Sequence, residues 1–261
     1  MPKQPIRCFE GNAKPYEAFW RLVDAATSES GEPEIEFYGY ISEYSWWEDD
    51  ITPAMFKNDL ASIGKGGPVT IRINSGGGDM IAASVIRAIM MDYGGKITTR
   101  IDGLCASAAT YVAMAGDLVK MQDTAFFMIH DPSAIAWGTV DDLLEVIEVL
   151  ETAKNSIIDA YQVKTEMEYE QISKLMSAET WMTAKEAKEY KFVDEVISSK
   201  AKSNALAEKA AIVNVVRQAG DLSRYVNVPD ALLANQAATA PDKSNQQAAE
   251  RLRAEIKILC K

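Results

Sequence analysis

Three short stretches of the sequence carry residue types that together could perform acyl transfer. Ser107 lies in a small-residue turn, three consecutive glycines occupy positions 76–78, and His130, the only histidine, ends an apolar run. Acyl transfer needs a nucleophile, a general base and backbone N–H groups that stabilise an oxyanion. The combination therefore favours a nucleophilic hydrolase.

Each stretch taken alone has a plainer interpretation. A serine in such a turn is commonly a helix N-cap, glycines commonly form a flexible turn, and a lone histidine is usually structural. No Gly-Lys-Ser/Thr follows the glycines, which disfavours a phosphate-binding loop. Cys105, two residues before Ser107, is a second candidate nucleophile, ranked lower because cysteine is often a small buried filler.

The elements that must position these residues alternate between strands and helices. Residues 69–74 predict a strand that enters the glycines, and a helix with apolar residues on one face follows them. Two further strand–turn units carry Ser107 and His130. Such alternation is typical of α/β layering, and its repetition predicts a β-β-α spiral.

A long helix is predicted from Thr139 to about Tyr161. Thr139 can cap it, and acidic residues occupy its first turn. Apolar residues follow a nearly heptad spacing, at Leu143, Ile147, Leu150, Ile157 and Tyr161. Such a stripe usually packs in the core, and Leu144 and Ile158 add apolar residues on a neighbouring face.

Three short motifs, each present once, surround the candidate residues. They are Asn74-Ser75-Gly76-Gly77-Gly78, Gly103-Leu104-Cys105-Ala106-Ser107 and Met128-Ile129-His130-Asp131-Pro132. With these motifs the sequence resembles the proteolytic subunit of Clp protease, a family of serine peptidases with a crotonase-type fold, over residues 35–197. The resemblance implies an α/β fold, a ClpP/crotonase-type β-β-α superhelical spiral from which a long handle helix protrudes.

The resemblance also implies roles for particular residues. Ser107 would be the catalytic nucleophile and His130 the general base, while the backbone N–H groups of Gly78 and Ala108 would form the oxyanion hole. It implies a peptide or protein substrate, a ring-shaped homo-oligomer, and neither a metal nor a cofactor.

More narrowly, the chain resembles the phage and prophage head maturation proteases, whose substrates are scaffold or capsid proteins. The residues that carry this likeness are Phe19-Trp20, Tyr38-Gly39-Tyr40-Ile41, Trp46-Trp47, Thr52-Pro53, Phe56 and Glu179-Thr180-Trp181-Met182-Thr183-Ala184. The alternative is a housekeeping Clp subunit fed by an ATPase unfoldase, a partner that the start of the chain and its long C-terminal tail disfavour. Two further alternatives are a crotonase-fold enzyme acting on an acyl thioester and a shell protein whose site has decayed.

The third member of a catalytic triad is where the sequence departs from the family. Leu175 aligns with the acid of the Clp subunit, and Ser177 stands where the phage branch commonly has aspartate. Three arrangements stay open: Glu179 reaches His130, Ser177 orients it, or the enzyme works as a dyad. Gly76 also replaces the family's proline, which loosens the glycine loop.

Composition limits the remaining function classes. The 261 residues include 27 Lys and Arg against 38 Asp and Glu, a net charge of −11 that disfavours partnership with nucleic acid or an anionic membrane. The three cysteines lack the spacing of metal ligands or of a disulfide framework. No signal peptide and no apolar run of spanning length are found, so we expect a cytoplasmic protein.

We expect three parts along the chain. Residues 1–34 form an N-terminal extension with a short helix over 16–26, residues 35–198 form the peptidase domain, and residues 199–261 form a C-terminal extension. The composition of residues 236–249 is typical of a linker, and residues 250–261 fit a terminal helix.

Overall fold

The computed structural model describes residues 20–23, 25–26, 28, 31–43, 50–63, 66–198, 225–229 and 232. The expected linker and terminal helix after residue 235 lie outside these residues. The strands are β1 (Trp20–Val23), β2 (Glu34–Tyr38), β3 (Tyr40–Ile41), β4 (Asp50–Ile51), β5 (Val69–Ser75), β6 (Ile97–Ala106), β7 (Leu118–Gln122), β8 (Phe126–Ile129), β9 (Thr180–Thr183) and β10 (Glu195–Ile197). The helices are α1 (Pro53–Ser62), α2 (Met80–Met91), α3 (Ala108–Ala113), α4 (Val140–Thr165), α5 (Tyr169–Ser177) and α6 (Ala184–Glu189).

A mostly parallel sheet organises the described part of the chain. Its order is β1-β2-β5-β6-β7-β10, with only β1 antiparallel to its neighbour along this path. The long strand β6 changes partner along its length: residues 98–101 pair with β7, and residues 104–106 pair with β8, which in turn pairs antiparallel with β9. The strands β8 and β9 thus branch from the main path of the same eight-stranded sheet. The predicted α/β fold of the Clp type is confirmed.

The prediction of a helix over residues 16–26 is wrong for the residues of this range that the structure describes. Trp20–Val23 forms β1 and pairs with residues 34–37 of β2. Backbone pairing with the otherwise open edge of β2 outweighs the weak helical pattern of such a short segment.

Alternation along β6 and β8 creates two apolar clusters. Cys105 and Phe127 point into the main core, whereas Leu104, Ala106 and Met128 point to the opposite face. That second face is covered by apolar residues from far along the chain, Tyr225, Val228 and Leu232. A segment that we assigned to the C-terminal extension thus packs on the sheet.

The predicted long helix is α4, and it protrudes. Thr139 accepts a hydrogen bond from the Asp142 N–H, and the Asp142 side chain accepts from the Thr139 N–H, which completes a capping box. Only its C-terminal half is buried, at Ile157, Ile158, Ala160, Tyr161 and Thr165. None of the helices in the described ranges is both long enough and apolar enough to cross a membrane.

Candidate active site

Ser107 lies at a sharp turn between β6 and α3. Its φ of 57° and ψ of −130° place a non-glycine residue in a conformation that L residues rarely adopt. The hydroxyl makes no capping hydrogen bond to the helix, although the sequence suggested an N-cap. The Ser107 N–H instead donates to the Met128 carbonyl at 2.9 Å, which fixes the turn against β8. The side chain is thereby directed away from the helix that it precedes.

The His130 imidazole is hydrogen-bonded to the Ser107 hydroxyl. Ala106 pairs with Met128 in the parallel register of β6 and β8, so the residues that follow the two strands emerge side by side. The Ser107 Oγ and the His130 Nε2 are 2.7 Å apart. The two residues that the sequence singled out therefore form a hydrogen-bonded pair of the kind that activates a serine nucleophile.

The glycine loop after β5 requires at least two of its glycines. Gly77 has a φ of +88°, and an added Cβ would lie 2.6 Å from the Ala106 carbonyl oxygen. Gly78 has a φ of +148°, and its added Cβ would lie 2.2 Å from the Ile41 carbonyl oxygen. Only glycine allows the loop to pass this close to both the serine turn and β3.

Gly78 and Ala108 both line the cavity in front of Ser107. Ile41 donates to the Gly77 carbonyl and accepts from the Asp79 N–H, so the N–H of Gly78 between them points away from β3. Ala108 is the first residue of α3, where an N–H has no partner within its own helix. The cavity measures about 470 Å³ and is also lined by Tyr40, Tyr111, His130 and Tyr225.

Neither polar candidate for the third triad position is directed to His130 by its hydrogen bonds. The Ser177 hydroxyl donates to the Asp131 carboxylate at 2.8 Å and accepts from the Lys154 ammonium at 3.0 Å. The Glu179 carboxylate accepts from the backbone N–H groups of Val226 and Asn227, at 2.8 and 2.7 Å. Leu175 has no ionisable group to offer. Ser177 and Glu179 are therefore both engaged by groups other than the His130 imidazole.

Cys105 is unsuited to the role of nucleophile. Its side chain is fully buried in the main core, on the face of β6 opposite to the second cluster. Burial raises the pKa of the thiol well above its ordinary value, so that the thiolate is scarce. In the described part of the chain, no group of three acidic, cysteine or histidine side chains is placed to hold a metal ion.

Sequence reasoning missed two features of the site. Ser75 was quoted only as part of a motif, yet its hydroxyl donates to the Gly39 carbonyl at 2.6 Å and accepts from the Gly77 N–H at 3.1 Å, which shapes the glycine loop. Tyr225 was not identified at all. The apolar residues of the Tyr-Val-Asn-Val-Pro run from 225 to 229 were the available signal, and similar residues elsewhere in the extension make that signal weak.

Comparisons with known proteins agree with this geometry. Residues 51–200 match the family model for Clp protease. The chain is 32% identical over 133 residues to the ATP-dependent Clp protease proteolytic subunit 2 of Thermobifida fusca, covering 50% of this chain and 66% of that protein. It is 35% identical over 133 residues to subunit 1 of Corynebacterium jeikeium, covering 50% of this chain and 71% of that protein.

A solved structure shares the fold. A point mutant of ClpP1 from Listeria monocytogenes superimposes with a TM-score of 0.51 at 28% identity, covering 63% of this chain and 90% of that chain. The family match spans the serine turn, the glycine loop and the histidine together. The chain therefore belongs to the Clp protease family.

Proposed function

We propose that the protein is a serine endopeptidase in which Ser107 is the nucleophile and His130 is the general base. The observation that carries this proposal is the 2.7 Å contact between the Ser107 Oγ and the His130 Nε2, formed at a strained turn beside the glycine loop. Strain at such a turn persists only where the surrounding structure imposes it, and it is common at catalytic residues.

The geometry supports the usual two steps of acyl transfer. The Ser107 Oγ attacks the scissile carbonyl carbon while the His130 Nε2 accepts the hydroxyl proton. The N–H groups of Gly78 and Ala108 stabilise the oxyanion. His130 then returns the proton to the leaving amine as the C–N bond breaks, and a water molecule hydrolyses the resulting ester with His130 again as base.

The substrate is an extended peptide or protein segment. Main-chain hydrogen bonds to the strands beside the site would hold it, and the cavity of about 470 Å³ would accept a side chain next to Ser107. The peptidase domain in this proposal comprises residues 35–198, flanked by extensions at 1–34 and 199–261.

We further propose that the physiological substrate is a phage scaffold or capsid protein. The support is the likeness to head maturation proteases, which includes Thr180–Thr183, now seen as β9 beside β8. Phe19, Trp46 and Trp47, which share this likeness, lie outside the described residues. The relatives are named as ATP-dependent subunits, so the alternative is degradation driven by an ATPase. Cleavage of a purified scaffold protein without ATP supports the proposal, whereas an absolute need for ATP and an unfoldase contradicts it.

A ring-shaped homo-oligomer is part of the same proposal. The N-terminal half of α4 exposes Val140, Leu143, Leu144 and Ile147, and Ile135 and Trp137 are exposed just before it. An apolar surface of this kind is typical of a contact with another protein chain. In the proposed assembly, α4 packs against α4 of a second copy.

Labelling with a fluorophosphonate probe tests the catalytic proposal. We expect wild type to be labelled once per chain, and Ser107→Ala to lose the label because the adduct forms on that oxygen. His130→Ala should label far more slowly, and peptide turnover should fall by about six orders of magnitude in either variant.

Two other variants serve as controls for the labelling. Cys105→Ala should keep the label because the thiol is buried, and Ser62→Ala removes an exposed hydroxyl on α1. A label that survives in Ser107→Ala would place the nucleophile elsewhere. A wild type that takes up no label would support the shell protein with a decayed site.

A further inference from the structure

We propose that the docked segment, residues 225–229 with Leu232, is a built-in support of the active site and that Tyr225 is a positioning residue for His130 and the glycine loop. The inference rests on the proposed roles of Ser107 and His130. It assigns a purpose to a part of the C-terminal extension that lies beyond the family match at 51–200.

Tyr225 contacts both halves of the catalytic arrangement. Its hydroxyl donates to the Gly76 carbonyl at 2.6 Å, and its ring lies 5.3 Å from the His130 ring at an interplanar angle of 86°. Trp181 of β9 packs on the other side, with ring centroids 5.9 Å apart in a T-shaped arrangement. Tyr225 is buried in this position, so the imidazole has a rigid aromatic neighbour that limits its rotation.

The hydrogen bond to Gly76 restrains the most flexible point of the site. A glycine loses more backbone freedom on ordering than any other residue, so a run of three glycines is costly to hold in one conformation. Ser75 holds the loop from one side through Gly39 and Gly77. Tyr225 holds the Gly76 carbonyl itself, two residues before the proposed oxyanion donor.

Glu179 fastens the segment in place. Its carboxylate accepts hydrogen bonds from the N–H groups of Val226 and Asn227, and the Asn227 side chain donates to the Ala178 carbonyl at 3.0 Å. Glu179 also has a φ of 47°, a left-handed conformation that is unfavourable for a residue with a Cβ. Charge-assisted bonds to two backbone N–H groups offset that cost. This carboxylate thus acts as a clamp rather than as the acid of a triad.

Apolar burial anchors the far end of the segment. Val228 and Leu232 are buried against Leu104, Ala106 and Met128. Ala106 directly precedes Ser107, and the Met128 carbonyl accepts from the Ser107 N–H, so the segment packs on the two strand ends that position Ser107 and His130.

The segment forms a wall of the cavity and does not fill it. Tyr225 lines the cavity together with Ser107 and His130, and about 470 Å³ stays open. The Ser107–His130 hydrogen bond is formed while the segment is docked. These observations favour a support over an autoinhibitory cover.

The rate of reaction with a small fluorophosphonate separates these two roles. For Tyr225→Ala we expect a rate at least about tenfold lower than wild type, because the loop and the imidazole both lose a restraint. Tyr225→Phe keeps the ring contact and should fall only about two- to tenfold, the usual effect of losing one hydrogen bond. Val226→Ala is the matched control, since that side chain is 86% exposed. An unchanged or faster reaction of Tyr225→Ala overturns the proposal, and a faster one indicates a cover.

A second measurement does not depend on activity. Because His130 is the only histidine, its carbethoxylation by diethyl pyrocarbonate can be followed by mass spectrometry on a single peptide. We expect faster modification of His130 in Tyr225→Ala than in wild type or Val226→Ala. Because loss of a buried ring lowers the melting temperature, the folding control is a cooperative melting transition that lies above the assay temperature in every variant. Equal rates of carbethoxylation in Tyr225→Ala and wild type would overturn the proposal that the docked segment supports the site. If wild type does not react with the fluorophosphonate, that result refutes the proposed function but not the proposed support.

The clamp is tested in the same assays. Glu179→Gln loses the charge and presents an amide to two N–H donors, so both rates should shift in the direction of Tyr225→Ala. Glu195→Gln, which removes an exposed carboxylate paired with Lys120, is the matched control. Wild-type values in Glu179→Gln contradict the clamp.

Discussion

The close approach of the glycine loop to the serine turn determines which residue types this site can accept. The glycine loop passes the serine turn at a distance that leaves no room for a Cβ at Gly77, and Ser107 itself has a strained backbone. Gly77 is therefore required because a side chain would not fit, and the strained backbone of Ser107 is accepted because it directs the hydroxyl to His130. Activity should therefore be more sensitive than folding to small changes here.

Gly77→Ala tests this sensitivity. Its Cβ would lie 2.6 Å from the Ala106 carbonyl and 2.7 Å from the Ser107 Cβ, so the loop must move and carry the Gly78 N–H with it. We expect fluorophosphonate labelling to slow by about a hundredfold or more, as when an oxyanion donor is removed. Gly94→Ala, where nothing lies within 4 Å of the added Cβ, should label like wild type. Equal rates in both variants would show that the loop does not shape the site.

Two helices, α4 and α5, contact Asp131, the residue after His130. Lys154 of α4 forms a 2.9 Å ion pair with Asp131, and Ser177, the last residue of α5, donates to the same carboxylate. Thr110 of α3 is hydrogen-bonded to the Tyr161 hydroxyl of α4 at 2.6 Å, and burial raises the pKa of that tyrosine. The protruding helix is thereby joined to α3, which begins after Ser107, and to Asp131, which follows His130.

The variant Ser177→Asp checks how these elements are arranged. The resemblance to phage proteases suggests that aspartate here would complete a triad, but Ser177 points at Asp131. The new carboxylate would repel that of Asp131 but attract the Lys154 ammonium, which donates to Ser177 at 3.0 Å, so we expect the unfolding free energy to stay within about 1 kcal/mol of wild type. Labelling should not accelerate. A clear rate increase would show that this position reaches His130 after all, and Ser177→Ala controls for the lost hydroxyl.

At the scale of the whole molecule, the main feature is the exposed apolar face on the N-terminal half of α4. The exposed face of α4 is separated from the core that holds its C-terminal half, so a change on this face should not affect the folding of the protomer. Assembly and stability can therefore be examined separately.

Leu144→Glu is the corresponding test of assembly. Leu144 is 52% exposed, and a charge there would be desolvated between two packed copies of α4. We expect light scattering to report a smaller assembly than wild type with an unchanged protomer melting temperature. Val163→Glu, at an exposed position in the buried half of the same helix, should leave the mass unchanged. A wild type that is monomeric contradicts the ring.

Much of the fold was readable from the sequence because the signals were local. The glycines marked the loop after β5, Thr139 marked the start of α4, and the alternation of strands and helices indicated the α/β spiral. Ser107 was singled out by its small-residue turn, and His130 by its position at the end of an apolar run. Even so, the pattern of residues 16–26 misled, because pairing with the edge of β2 decided the structure there.

Only the tertiary structure could decide what depends on distant parts of the chain. It brings Ser107 within 2.7 Å of His130, directs Ser177 to Asp131, and turns Glu179 toward Val226 rather than the imidazole. Tyr225 reaches Gly76 from 149 residues away. Residue types and spacing specify local conformation, but which side chains meet across such separations is set by the packing of the whole sheet, and no local pattern records it.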